Sequence, residues 1–504
     1  TAATPPPPGP TEPATFAHVS EPSDTTIFTA RSIVTMDPTP PAVEAVAVRE
    51  GRILAAGSLE ECASWGPHRV DDRFAEHVIV PGMIEAHAHS LEGAFALLPY
   101  VGWFDRHGLH GTRPGVRSYD ELIHRLAALD AEMRNRGAGG DEPVIVGGFD
   151  PIYFRDDERL TKDHLDRAST ERPIFVLHAS AHLATVNSAM LAHEGITGDS
   201  TTIGVARGPD GEPNGELQEA PAMALCRAFI DVVRAMNAPD AIEAMGTICA
   251  NQGITALADL AAGGLRRPDG QELWHRVVDR DEYPARVLQR HLATLPPGST
   301  DWADAAETIL RFREADSDKL RTAGLKVLLD GSIQGFTAKM DWPGYYTGTD
   351  VPIDHGVWMT PPDQLVEICR PFHERGINIH THCNGDLTVD AWIDCVEQLV
   401  IDHPWLDHRH TVQHCQLTTP AQYRRMAKLG MCANIFTNHI WYWGDEHHDI
   451  TVGPERARRM EACRTAEREG VSFSIHSDAN VTPLGHLHTM WCAVNRVTPS
   501  GRVL

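Results

Sequence analysis

Val80-Pro81-Gly82-Met83-Ile84-Glu85-Ala86-His87-Ala88-His89 decides how this chain is read. Pro81-Gly82 is a turn signal, and the short apolar run behind it ends in two histidines separated by one residue. Side chains two apart on a strand share a face. If the strand belongs to a barrel, both imidazoles project into the barrel mouth, where they can share a metal ion. Taken alone, the pair fits equally well a surface or core strand whose histidines are satisfied by hydrogen bonds. The reading therefore turns on whether further ligands arrive in matching context.

Downstream, short apolar runs alternate with helical patterns, the mark of a β/α architecture. Strands are predicted at Ile84 to His89, Ile254 to Leu260, Arg286 to His291, Leu325 to Asp330, Ile377 to His382, Thr411 to Gln416, Met431 to Phe436 and Ser472 to Asp478. Helices fit at Ala241 to Asn251, Trp302 to Glu314, Pro362 to Arg375, Ala421 to Leu429 and Pro454 to Glu469. The economical fold is an α/β (β/α)₈ TIM barrel over residues 81–504. About 150 residues separate the first two strands, far more than a βα connection needs. An inserted subdomain over about 91–239 is expected there, with its own strands at Pro143 to Gly148 and Ile174 to His178. Thr26 to Met36 and Val43 to Gly57 are β-rich around a tight turn at Glu50-Gly51-Arg52, so residues 26–80 read as the N-terminal part of a small β-sandwich. The Pro- and Thr-rich residues 1–25 read as a disordered arm. No final barrel helix is evident after the eighth strand.

The chain has 504 residues with 44 basic against 69 acidic side chains, a net charge of -25. That size suits a large catalytic domain with smaller attachments. That charge disfavours nucleic acid and anionic membranes as partners. The apolar stretch from Ala94 to Phe104 is too short to span a bilayer. Ten cysteines without CxxC spacing read as reduced thiols, which points to a cytoplasmic setting. Self-association into a homo-oligomer is compatible with the sequence.

Catalytic groups in such barrels stand at the C-terminal ends of strands. The first strand offers His87 and His89, the fourth Lys326, the fifth His382, the sixth His414 and the eighth Asp478. Imidazoles and carboxylates suit zinc and similar divalent ions. Cys383 and Cys415 follow histidines and, by strand alternation, should point into the core. His380 shares the parity of His382 and should lie one layer deeper.

This pattern resembles the amidohydrolase superfamily, in particular its YtcJ-like branch, amidohydrolase family 3, which includes N-substituted formamide deformylases. The resemblance rests on Pro81 to His89, Lys326 with Asp330-Gly331-Ser332, His382-Cys383-Asn384-Gly385-Asp386, Gln413-His414 and Ser477-Asp478-Ala479. It implies that His87 and His89 bind one metal, His382 and His414 a second, and that Lys326 bridges them as a carbamate formed with CO₂. Asp478 would bind the first metal and serve as the base. The implied cofactors are two divalent ions, zinc in the first place with manganese or iron as substitutes. The implied reaction is hydrolysis of a non-peptide C–N bond in a small amide, N-substituted formamide or carbamate by a hydroxide that the two ions share. His182 would hydrogen-bond the tetrahedral oxyanion, although Ser180-Ala181-His182 departs from the family's usual Asp-Gly-His. His476 stands where the family often has a small residue. Trp103 and Trp441 are candidate walls of the substrate pocket. A mononuclear deaminase, with Lys326 unmodified, and a non-catalytic binding or regulatory barrel stay open as alternatives.

Overall fold

A computed structural model describes residues 25–154, 159–235, 238–267, 270–346 and 355–504. The expected N-terminal arm lies outside the described residues except for Thr25, which begins the first strand. The chain divides into two compact units, one ending at Gly82 and the other Met83–Leu504.

The first unit holds one four-stranded sheet in the order Arg52–Gly57, Ala42–Arg49, Thr25–Val34, His68–Ile79. Glu50 and Gly51, at φ 50° and 70°, make the predicted tight turn, and two successive positive φ values are what a twisted two-residue hairpin requires. The helix Leu59–Ala63 starts from a capping box between Ser58 and Glu61. It lays Cys62 on Ile27, Ala45 and Ala47. Strand His68–Ile79 escaped sequence reading because its charged, mostly exposed residues show no apolar alternation.

The second unit contains the expected barrel. Its strands run Met83–Ala88, Ile254–Ala262, Arg286–Leu292, Leu320–Leu328, Asn378–Cys383, Thr411–His414, Cys432–Ile435 and Phe473–Ile475, each parallel to the next. A parallel bridge between Ala88 and Ala479 joins the last strand's exit to the first strand, and the His89 amide donates to the Ala479 carbonyl at 2.6 Å. The helices Pro239–Asn251, Trp302–Glu314, Pro362–Glu374 and Pro420–Leu429 lie where they were predicted. The last shows why: Thr419 caps it, Pro420 opens it, Gln422 closes the capping box, and Gly430 ends it at φ 72°. Trp392, Phe372, Ile379 and Val412 are buried between helices and strands. Each such side chain contributes about 1.5–3 kcal/mol to folding.

Two expectations are corrected here. Pro454 to Glu469 is not one helix but two, Gly453–Ala457 and Cys463–Arg468. Between them Glu461 is buried, adopts φ 49° and donates its amide to the Gln416 carbonyl, which pulls the chain off the helical path. The final barrel helix is present after all, at His486–Asn495. It was hidden because Thr489 and Cys492 face inward while Leu487 and Val494 are exposed, so apolar periodicity does not mark its buried side.

The insertion folds as a five-stranded sheet in the order Val205–Arg207, Pro213–Gln218, Leu183–Val186, Ile174–His178, Val144–Phe149. It matters to the site because the loop between its central strands carries His182. Among the described residues no helix is long and apolar enough to cross a membrane.

Candidate metal centre

His87, His89, Lys326, His382, His414 and Asp478 all line one cavity of about 280 Å³. The barrel explains the convergence, because neighbouring parallel strands deliver their C-terminal ends to one mouth. Lys326 and His382 stand on adjacent strands near the end of the ladder, and His414 is the last residue of the next strand. His89 lies one residue beyond its strand and Asp478 three beyond.

Asp478 is the meeting point. Its Oδ1 lies 3.2 Å from His87 Nε2 and 3.0 Å from His89 Nε2, and its Oδ2 lies 3.5 Å from His414 Nδ1. Gln413 sets the polarity of the first contact. Its Oε1 accepts from Asn434 Nδ2 at 2.8 Å and lies 2.6 Å from His87 Nδ1, while its Nε2 faces His380 Nδ1 at 2.5 Å. This network places a proton on His87 Nδ1 and leaves the lone pair on Nε2. That lone pair confronts a carboxylate oxygen, and among the described residues neither His87 Nε2 nor Asp478 Oδ1 has a hydrogen-bond partner. Two acceptors held at such a distance repel unless a cation lies between them. Metal–ligand bonds of about 2.0–2.2 Å put adjacent donor atoms about 2.8–3.6 Å apart from octahedral to tetrahedral geometry, so the spacing fits a divalent ion.

The protonation states agree. Burial, reinforced by the Lys326 charge, holds His87 well below the ordinary histidine range. Burial likewise lowers His414 well below it and His382 to about 3. All three are neutral at neutral pH, the form that ligates metal. Burial raises the Asp478 carboxyl, but the His89 ring 3.0 Å away and the His476 and Lys326 charges outweigh it and hold the pKa below the usual value.

Lys326 is buried, its Nζ has no hydrogen-bond partner among the described residues, and burial pushes it down to about 7 against the opposing Asp478 charge. His382 Nε2 lies 3.2 Å from the Gly331 carbonyl, and donating its proton there leaves the Nδ1 lone pair for a ligand role. Asp330 holds that strand exit in place. It accepts from the amides of Asn384, Gly385 and Lys339 and from the Thr388 hydroxyl at 2.8–3.1 Å. Cys383 and Cys415 belong to the hydrophobic core and His380 to the layer beneath the cavity, as their strand parity suggested.

His182 also lines the cavity. Glu219 clamps it twice, with a carboxylate oxygen 2.8 Å from Nδ1 and a backbone amide donating to the His182 carbonyl at 2.7 Å. Burial lowers His182, but the Glu219 hydrogen bond and charge, with the more distant Asp478, raise it above the ordinary value on balance. Trp103 and Trp441 are not among the described residues lining this cavity. Trp103 packs on Tyr153 and Phe154, and Trp441 on His488 and Trp491. A larger chamber of about 1010 Å³ shares Ser180, His182, Ser332 and Gln334 with the cavity and adds apolar walls from Ile152, Phe154, Phe336 and Val357.

Sequence reading did not find the roles of Gln413 and Glu219. Gln413 acts across 326 residues and Glu219 across 37, separations that no local pattern reports. It also left His476 undecided, although this residue shares strand parity with Asp478.

Comparison with known proteins agrees with this picture. The profile of the amidohydrolase family matches residues 76–504. The chain is 24% identical over 484 residues to Protein LONG AFTER FAR-RED 3 of Arabidopsis thaliana, covering 94% of this chain and 78% of that protein. It is 24% identical to the putative amidohydrolase YtcJ of Bacillus subtilis (90% and 80% covered). It is 23% identical to the N-substituted formamide deformylase of Arthrobacter pascens (94% and 84% covered). A crystal structure of an uncharacterized metal-dependent hydrolase from Pyrococcus furiosus superposes with a TM-score of 0.65 at 19% identity, covering 95% of this chain and 91% of that one. That likeness establishes the fold.

Proposed function

The chain belongs to the amidohydrolase family, and from that premise we propose that it is a metal-dependent hydrolase of a non-peptide C–N bond in a small amide, N-substituted formamide or carbamate. The observation that carries the reading is the His87 lone pair facing the Asp478 carboxylate at 3.2 Å, with His89 at 3.0 Å from the same oxygen. His87, His89 and Asp478 would hold one divalent ion, zinc in the first place, and His382 and His414 a second, with carboxylated Lys326 between them. A Lys326 pKa of about 7 supports the carbamate, because only the neutral amine combines with CO₂. Bound ions would lower the pKa of a water and polarise the substrate carbonyl.

The chain's own groups do the rest. Asp478, kept ionised, takes the proton of the attacking water and returns it to the departing nitrogen. His182, oriented through Nδ1 by Glu219, presents its other ring nitrogen as donor to the carbonyl oxygen as charge develops there. The apolar chamber beside His182 accommodates the substituent on the amide.

One observation favours a second reading, a mononuclear deaminase. The Asp478 carboxylate contacts His87, His89 and His414 together, so these four can serve one ion. Metal analysis with intact mass separates the two: two ions and the added mass of one CO₂ support the binuclear hydrolase, and one ion with unmodified Lys326 supports the alternative. The proposal itself is tested on zinc-replete protein with a panel of N-substituted formamides, acyl amides and carbamates. Hydrolysis that disappears in Asp478→Ala is expected. Metal-replete protein inactive across the panel, or Asp478→Ala with unchanged rates, would overturn it.

A further inference from the structure

The seventh barrel strand, Cys432–Ile435, ends between the strands that deliver His414 and Asp478, yet no residue from its exit takes part in the chemistry above. That exit carries His439, a buried residue that opens the helix His439–Glu446 and lines the metal cavity. His439 Nδ1 lies 2.8 Å from His447 Nε2, and His447 Nδ1 lies 2.8 Å from Thr451 Oγ1. The two imidazoles are 3° from parallel with their centroids 5.1 Å apart. An N···N contact this short is closer than stacked rings can come, so the rings lie in one plane and meet edge to edge, the alignment an N–H···N bond prefers. Phe436 and Trp443 close on the His439 ring at 4.6 Å and 4.4 Å. Held in this way, His439 has one nitrogen left to present to the cavity, Nε2.

Burial holds His439 well below the ordinary histidine range and His447 at about 3, so both rings are neutral, each with one N–H and one lone pair. Gln413 fixes the tautomer of His87 because its amide oxygen is also committed to Asn434. Thr451 imposes no such choice, since a hydroxyl both donates and accepts. The group that meets Nε2 therefore sets the chain. A donor in the cavity leaves the lone pair on His439 Nε2, with Nδ1–H directed to His447 and the His447 Nδ1–H to Thr451. In the hydrolysis proposed above, His182 serves the carbonyl oxygen, and Asp478 serves the water and then the departing nitrogen. A secondary amide brings one more polar group to the reacting centre, the N–H of the scissile bond. We propose that His439 Nε2 accepts a hydrogen bond from that N–H, which makes His439 a substrate-contacting residue and selects secondary amides, formamides or carbamates over their tertiary counterparts. The inference rests on the hydrolase reading and deepens it. Pinning the N–H on one side keeps the lone pair that develops on the nitrogen free to turn toward Asp478, which supplies the proton.

His439→Phe keeps an aromatic ring beside Phe436 and Trp443 and removes both nitrogens. On the zinc-replete full chain, kcat/KM is compared for an N-alkylformamide and for its N-methyl counterpart, which lacks the hydrogen. The loss on the secondary formamide should exceed the loss on the tertiary one by about tenfold or more, at unchanged zinc content. His439→Gln, whose amide oxygen can accept, should recover part of the secondary-substrate rate. Equal losses on the two substrates, or no loss on the secondary one, would overturn the assignment and leave the hydrolase reading standing. Unmutated protein inactive on both substrates and on the wider panel would overturn both. If His439→Phe does not fold, the unmutated protein decides: it should prefer the secondary formamide by about a hundredfold or more in kcat/KM, and comparable rates would refute the proposal.

Discussion

Replacing Lys326 by methionine tests the centre through stability rather than turnover. Lys326 is 1% exposed and its ammonium has no hydrogen-bond partner among the described residues. Burial takes its pKa from 10.5 to about 7. With the folded pKa below the unfolded one, the unfolded chain binds the extra proton in the interval between them, so stability rises with pH there. The penalty is therefore complete below about pH 7, shrinks as pH rises, and is gone above the unfolded value of 10.5. The gap between 10.5 and about 7, at about 1.4 kcal/mol per pH unit, corresponds to about 5 kcal/mol. Methionine has similar reach, no charge and a liking for irregular apolar gaps. Metal-stripped Lys326→Met should thus resist denaturant better than the unmutated chain by up to about 5 kcal/mol near pH 6, with the advantage fading toward pH 10. The same variant should have lost its hydrolytic activity. The assay is guanidinium unfolding of both stripped proteins across that pH range. A loss of stability near pH 6, or a gain that does not change with pH, would refute the picture of a charge buried for function.

Three further outcomes follow from the same geometry. Gln413→Leu removes the group that fixes the His87 tautomer and should weaken zinc binding about 10–100-fold, as loss of an outer hydrogen-bond partner usually does; chelator competition measures it, and unchanged affinity would count against the lone-pair argument. Glu219→Gln should lower kcat about tenfold or more with little change in KM, if His182 serves as a donor in the transition state. Because Glu219 helps hold the His182 pKa above its ordinary value, the alkaline limb of the pH–rate profile should move to lower pH, and a profile that stays in place would separate His182 from catalysis. Stripping metal with a chelator should abolish activity, and zinc with bicarbonate should restore more of it than zinc in CO₂-depleted buffer; equal recovery in the two buffers would exclude the carbamate.

Much of the site was legible because strand parity and barrel topology act together. Knowing that His87 and His89 share a face, and that barrel strands end at one mouth, is enough to gather Lys326, His382, His414 and Asp478 at one cavity. What stayed hidden depends on contacts between distant segments. Asp478 lies beyond the last strand because Glu85, on the first strand, ties Ser477 through its amide at 3.1 Å and its hydroxyl at 2.7 Å. Glu219 reaches His182 only after the insertion has folded its sheet. Trp103 and Trp441 were singled out as bulky aromatics, yet they pack on other rings and do not line the cavity, and aromatic content alone does not tell a cavity wall from ordinary packing.

The two layers of the barrel mouth differ in how their polar groups are satisfied, and the difference locates the chemistry. In the lower layer Gln413 bonds His87, His380 and Asn434, and beside it Glu85 is occupied by Ser477. In the upper layer Lys326 Nζ, His87 Nε2, both nitrogens of His414 and Asp478 Oδ1 have no hydrogen-bond partner among the described residues. His414 and Asp478 also sit at φ 72° and 53°, a left-handed backbone that costs a non-glycine residue about 1–3 kcal/mol. Folding alone gives no reason to keep strained, unpaired groups directly above the bonded Gln413 and Glu85. A cation among them does, since it pairs the lone pairs, offsets the Asp478 charge and recovers the backbone strain. The lower layer then holds the ligands at a spacing that only the ion completes.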